Sequence, residues 1–249
     1  MSIEAKPAGV MILTGTNMDG NPEPMASLKV AAGESIAVVG PTGSGKSQLL
    51  SDIEQLAEAD TISGRKVVLN GFSHDTGVAH LSQKTAFLMD GSVEEFIGVH
   101  AESRGLSQKE MVPKVIETAN TLCGEPIAPF DRIQVLSGGQ SRALMIADIA
   151  LISDAPVMLI DEIENAGIDK LKAIEVLTGS NKAVFISTHD PVLILMAHRR
   201  VVMNRGGMGT VLERTPDEKK SLAHLKALDD QLIHARETLR SGQCLQGLS

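Results

Sequence analysis

The sequence contains no tryptophan and no tyrosine, and only five phenylalanines in 249 residues. Any function that needs an aromatic platform must draw on Phe72, Phe87, Phe96, Phe130 or Phe185. The core is therefore expected to be aliphatic, with eleven methionines helping to fill it. Cysteine is also scarce: Cys123 and Cys244 lie far apart, with no Cys-x-x-Cys or Cys/His spacing. A zinc site or thioredoxin-like chemistry has no support, and both thiols are expected to be reduced in the cytosol. Long apolar runs are missing. Stretches such as Val192 to Ala197 fall far short of the roughly 20 residues that span a bilayer. The N-terminus carries Glu4 and Lys6 and no long apolar segment, so no signal peptide is expected. Basic residues are in deficit, 23 Lys plus Arg against 31 Asp plus Glu, for a net charge of -8. Such a chain is a poor candidate for wrapping nucleic acid, and an anionic membrane repels it unless a partner holds it there.

What is present is an ordinary globular composition, 43% apolar and 22% charged, on a chain long enough for one large domain with a small inserted lobe. Short apolar runs alternate with helical patterns. The runs are Ser35 to Val39, Lys66 to Leu69, Val157 to Ile160 and Ala183 to Ile186, and they read as strands of a sheet covered on both faces. Lys46 to Ala57 and Arg142 to Ile152 carry helical spacing between them. The alternation predicts an α/β fold with a mainly parallel sheet.

From Gly91 to Leu136 the strand pattern stops. Ser92 and Ser107, each followed by acidic residues, mark helix starts, so residues 91–136 are expected to form an inserted helical lobe. The body would then comprise residues 1–90 and 137–212. Residues 213–249 form a helical extension opening at Thr215-Pro216-Asp217-Glu218, with Leu225, Leu228, Leu232, Ala235 and Leu239 at three-four spacing. That helix either lies on its own domain or meets a partner.

Three motifs carry chemistry. Gly40-Pro41-Thr42-Gly43-Ser44-Gly45-Lys46-Ser47 follows a strand and opens a helix, the context of a phosphate-binding loop. Its glycines let successive N–H groups turn inward toward an anion, Lys46 would reach the β- and γ-phosphates, and Ser47 would ligate Mg²⁺. Val157 to Ile160 runs into Asp161 and Glu162, placing two carboxylates at the carboxyl edge of the sheet. Asp161 suits Mg²⁺ and Glu162 suits the polarising of a water. The third motif is Leu136-Ser137-Gly138-Gly139-Gln140, which precedes the helix leading into that acidic strand.

In this order the three motifs resemble the ATP-binding cassette ATPases, in which the third is the signature motif, over about Ile36 to Leu212. The resemblance implies a P-loop NTPase core with an antiparallel edge and an inserted helical subdomain, binding ATP and Mg²⁺. It implies that Gln48 joins the P-loop residues at the nucleotide and that Gln83, in Leu81-Ser82-Gln83-Lys84, is the Q-loop glutamine, acting in catalysis and at the metal. It places Asp169 in the D-loop and makes His189 the switch histidine. It further implies that two cassettes, identical or homologous, pair head to tail. Ser137, Gly138, Gly139 and Gln140 of each would then complete the other's γ-phosphate site.

The sequence also departs from the family. Ile163 stands where proline is common, and Asp169 follows Glu162 by seven positions where six are usual. No aromatic lies in Leu13 to Gly20, where the family stacks adenine, so weak base recognition is expected, with Met18 the one soft contact suggested. The implied role is the energising cytoplasmic subunit of a membrane transporter whose spanning chains are separate, received partly by an apolar groove at Lys84 to Met89. The alternative is a soluble cassette that remodels or activates a partner protein.

Overall fold

The computed structural model describes residues 8–72, 77–82, 87–165 and 167–245. In chain order the strands are β1 (Gly9–Leu13), β2 (Ser27–Ala31), β3 (Ser35–Val39), β4 (Lys66–Asn70), β5 (Val78–Leu81), β6 (Val157–Asp161), β7 (Ala183–Ser187), β8 (Arg199–Asn204) and β9 (Gly207–Glu213). The helices are α1 (Lys46–Glu54), α2 (Val93–Ser103), α3 (Gln108–Leu122), α4 (Gly138–Leu151), α5 (Lys170–Thr178), α6 (Pro191–Met196) and α7 (Pro216–Arg240).

The main sheet has the order β5-β6-β7-β3-β8-β9. Its neighbours pair in parallel except β8 with β9, which closes the edge as an antiparallel hairpin. The fold is thus mixed α/β with a mainly parallel sheet, as the alternation of patterns predicts. Side chains along β6 and β7 point alternately to the two faces. Met158, Ile160, Val184 and Ile186 join one core with α2, α3, α4 and α5. Val157, Leu159, Ala183 and Phe185 join a second core with α1 and the small sheet. A strand buried on both faces has no polar face, which is why these runs are continuously apolar.

Lys66 to Leu69 is corrected by the structure. It forms β4 in a separate three-stranded antiparallel sheet of order β2-β1-β4, and of its residues only Val67 is fully buried. An antiparallel strand with one covered face buries alternate residues. Helix α1 ends at Glu54, short of Ala57, because Leu56 turns to φ +50. Helix α4 starts four residues before Arg142, at Gly138, because Ser137 caps it.

Ser92 caps α2 through a capping box with Glu95. Ser107 occupies the cap position of α3, but its side chain makes no capping bond. At α7 the Thr215 hydroxyl accepts from Glu218 N–H at 3.2 Å while the Glu218 carboxylate accepts from Thr215 N–H at 2.9 Å. The leucine stripe of α7 divides. Ala235 is buried, whereas Leu228, Leu232 and Leu239 stay exposed. The helix packs mainly on α6. At 1.5 Å per residue, the 25 residues of α7 far outrun the six of α6.

Candidate active site

Strands β6, β7 and β3 are adjacent and parallel, so the loops leaving their carboxyl ends emerge side by side. A cleft of about 290 Å³ lies there. It is lined by Thr42, Gly43, Gly45, Lys46, Ser47 and Gln48 after β3, Asp161 and Glu162 at the end of β6, Ser187 and His189 at the end of β7, and Met18 from the small sheet's loop. Sequence positions more than 140 apart thereby meet in one site.

The P-loop is built around positive φ. Gly40, Gly43 and Gly45 sit at φ +150, +77 and +98, a region side chains disfavour. At Gly45 a Cβ would also lie 2.7 Å from the Gly206 Cα of the β8–β9 turn. Gly45 is the N-cap of α1 and offers no side chain to the first-turn N–H groups, which leaves them for an anion. Lys46 Nζ donates to the carbonyls of Gly40 and Pro41, at 2.8 and 3.1 Å. Pro41 and Thr42 are exposed and Ser44 is buried. The Gln48 amide donates to Asp52 Oδ1 at 2.9 Å, so it reaches the cleft as a braced side chain.

Glu162 has φ +49, a left-handed turn that is costly for a residue with a side chain. Its N–H donates to the Ser187 carbonyl at 3.0 Å. Its Oε1 lies 3.5 Å from His189 Nε2. The acid and the histidine thus face each other across the exit of adjacent strands. Gln83 lies outside the described residues; β5 ends two residues before it.

The third motif sits elsewhere. None of Ser137, Gly138, Gly139 and Gln140 lines the cleft. Ser137 Oγ accepts from Gln140 N–H at 3.2 Å, and Gln140 Oε1 accepts from Ser137 N–H at 2.9 Å. Gln140 also donates to the Pro126 carbonyl at 3.0 Å. Ser137 and Gly138 are exposed. Asp169 caps α5, accepting from the N–H groups of Leu171 and Lys172 at 3.1 Å each. Ahead of it Gly167, at φ +67, faces Gly139 of the signature motif.

Residues 25–165 match the family described as ABC transporter. The chain is 50% identical, over 95% of its length, to an uncharacterized ABC transporter ATP-binding protein of Methanocaldococcus jannaschii, of which it covers 94%. The chain belongs to this family. Membership carries ATP binding and, in general, ATP hydrolysis. The cassette is also 30% identical to the sn-glycerol-3-phosphate import ATP-binding protein UgpC of Escherichia coli, over 73% of this chain and 53% of that one. Among solved structures, an ATP-binding subunit of an ABC transporter shares the fold at TM-score 0.64 and 19% identity, over 91% of this chain and 98% of that one.

Sequence reasoning missed a network beneath the cassette's P-loop. Arg65 is fully buried. Its guanidinium donates to Glu23 Oε1 at 2.6 Å, Asp52 Oδ2 at 2.8 Å and the Gly206 carbonyl at 2.6 Å. Glu23 Oε1 also accepts from Met208 N–H at 2.6 Å. One arginine therefore joins α1, the loop holding Met18 and the β8–β9 turn. A buried arginine with both acids and a carbonyl in place is satisfied, whereas loss of one partner would strand a charge. No local pattern marks it, since its partners lie 13, 42 and 141 positions away. Arg142 of α4 was missed too. It donates to the Ser82 carbonyl at 3.0 Å. Burial pushes its pKa below the ordinary arginine value, against the pull of the Asp161 carboxylate.

Proposed function

We propose that this cassette hydrolyses MgATP to ADP and phosphate as a head-to-tail dimer and is the cytoplasmic subunit that energises a transporter with separate membrane-spanning chains. The observation carrying this reading is the convergence of Lys46, Ser47, Asp161, Glu162 and His189 on one cleft. The N–H groups at the start of α1 and the Lys46 ammonium bind the triphosphate. In doing so Lys46 exchanges its loop carbonyls for phosphate oxygens. Ser47 and Asp161 offer a hydroxyl and a carboxylate, hard oxygens suited to Mg²⁺. Among the described residues no group of three or more His, Cys, Asp or Glu side chains is arranged to hold a metal. An ion bound largely by phosphate and water needs no such group. Bound there, Mg²⁺ would neutralise charge on the phosphates. Glu162 orients and polarises the attacking water, His189 steadies the γ-phosphate, and Gln83 would act beside them.

The capped, exposed start of α4 supports the pairing. Ser137 and Gly139 offer donors at a helix N-terminus, with Gly138 and Gln140 shaping it, yet they lie outside the chain's own cleft. A second copy or a homologous cassette would bring its triphosphate to them. In this scheme the core comprises 1–90 and 137–212, the lobe 91–136 and the extension 213–249. No helix among the described residues is long and apolar enough to cross a membrane. At the expected docking groove, Lys84 to Ala86 lie outside the described residues. Phe87 packs edge-on against Phe96, with ring centroids 5.1 Å apart, and Leu88 beside it is fully exposed. A partner helix would cover it.

Glu162→Gln tests the reading. It should keep ATP binding, lower turnover by about 10²- to 10⁴-fold and hold an ATP-bound dimer on a sizing column. Turnover at the wild-type rate would remove Glu162 from its role. Co-purification with a multi-span chain from membranes would support transport, and recovery with a soluble partner would favour the remodelling alternative.

A further inference from the structure

We propose that Glu164 is a positioning residue for hydrolysis: it clamps the Thr188–His189 backbone so that the His189 ring faces Glu162. This rests on the roles given above to Glu162 and His189. The family resemblance assigns Glu164 nothing, and it belongs to the stretch after Glu162 that departs from the family pattern.

The clamp is built from three observations. First, the left-handed turn at Glu162 sends the chain into a 3-10 turn, Ile163–Asn165, whose Ile163 is fully buried in the sheet–helix core. With Ile163 fixed inward, the next side chain is carried back over the exit of β7. Second, Glu164 Oε1 accepts two hydrogen bonds there, from Thr188 Oγ at 2.9 Å and from His189 N–H at 2.9 Å. Third, Thr188 is itself almost wholly buried, and its Oγ accepts from Asp190 N–H at 3.0 Å, the residue that caps α6. A single carboxylate oxygen thus holds the histidine's own N–H and the side chain before it, and through Thr188 Oγ it is linked to the N–H after it. Glu162 touches the same loop twice, by its own N–H on Ser187 and by its carboxylate facing His189. Glu162 and Glu164 are two residues apart, and they hold the ring and the backbone of one histidine.

The other oxygen, Oε2, is buried and has no hydrogen-bond partner among the described residues. The clamp is therefore an acceptor function resting on Oε1. A glutamine oxygen can reproduce it, and a methionine of similar length cannot.

The test compares Glu164→Gln with Glu164→Met. In nucleotide-free protein, amide hydrogen exchange at His189 reports the clamp without turnover. Glu164→Met should speed that exchange by about tenfold or more, and Glu164→Gln should stay within about threefold of wild type. In steady state, Glu164→Met should lower kcat about tenfold with KM for MgATP within about twofold, because a displaced group costs rate and not ground-state binding. Glu164→Gln should recover most of the loss. Unchanged exchange in the methionine variant overturns the clamp. Faster exchange with wild-type kcat overturns its role in positioning. Equal impairment of both variants overturns the acceptor argument. If Glu164→Met does not fold, Thr188→Val removes one donor and should show a loss of about threefold in kcat. Wild-type exchange and kcat in that variant overturn the proposal. Wild-type turnover in Glu162→Gln sinks the underlying site assignment instead, and leaves the exchange result standing on its own.

Discussion

Two glycine-rich helix starts, those of α1 and α4, are alike in sequence and opposite in construction. At α1 the cap is Gly45, with no side chain to satisfy the first turn, and the surrounding loops bring in a lysine, two acids and a histidine. At α4 the cap is Ser137, which closes a capping box with Gln140 and satisfies the Gln140 N–H from within. The first leaves its N–H groups open, with Lys46 held by the loop's own carbonyls. The second is stable without a ligand, exposed, and outside that cleft. The difference teaches that the two motifs have unequal duties. In the proposed scheme the P-loop binds alone, and the signature adds to something already bound. Helix α5 is entered through Gly167 beside the signature and tied by Lys170 to Asp190, next to His189, and to Asp229 of α7.

The largest expected break in this contrast is at the P-loop. Lys46→Ala should weaken ATP binding to dilute protein by about 10- to 100-fold, the value of a charge-assisted hydrogen bond, in an equilibrium titration. Ser137→Ala should leave that titration within about twofold while lowering steady-state turnover. It should also lower Tm by about 2–4 °C, since a lost cap costs about 1 kcal/mol in a chain of this size. Equal loss of binding in the two variants would erase the distinction. Base identity sharpens it further. Among the described residues the cleft's lining holds no Phe, Tyr or Trp, and Met18 is the residue of the small sheet's loop that reaches it, so the phosphates are expected to carry the affinity. The ratio of kcat/KM for ATP over GTP should stay below about a hundred, since base stacking is worth about 1–3 kcal/mol where it exists.

The smallest effect concerns α5, which starts beside the signature and is tied by Lys170 to Asp190 and Asp229. Burial would lower the Lys170 pKa, but its hydrogen bonds with Asp190 and Asp229 win, and the pKa is raised. A lysine whose folded pKa exceeds its unfolded one stabilises the fold fully below the unfolded value, about 10.4. That contribution is lost as pH climbs through the folded value. The Tm difference between wild type and Lys170→Met should therefore be constant from neutral pH to about 10 and shrink above it. A difference that shrinks on acidification instead, between pH 8 and 6, would contradict the assignment.

Much of this was legible because it is local. The P-loop, the acidic end of β6 and the Ser92 and Thr215 caps each depend on residues within a few positions. The buried strands were legible because a sheet covered on both faces leaves a continuous apolar run. Lys66 to Leu69 misled for the same reason. Apolar character says that a strand is wanted, not which sheet it joins, and β4 pairs with β1 through contacts more than 50 positions away. The signature motif was legible as a sequence, while its distance from the chain's own cleft was given by resemblance alone.

The sequence by itself determined the elements and the chemistry at each end of them: helix starts with or without a capping side chain, strands without a polar face, and the residue types a triphosphate requires. Only the tertiary structure decided what those ends meet. It set Arg65 between Glu23 and Asp52, turned Glu162 toward His189 and laid Glu164 on the backbone beside it. The reason is physical. Helix and strand formation is governed by neighbours along the chain, whereas a buried charge or a clamped loop is satisfied by groups that become neighbours only when the sheet has closed.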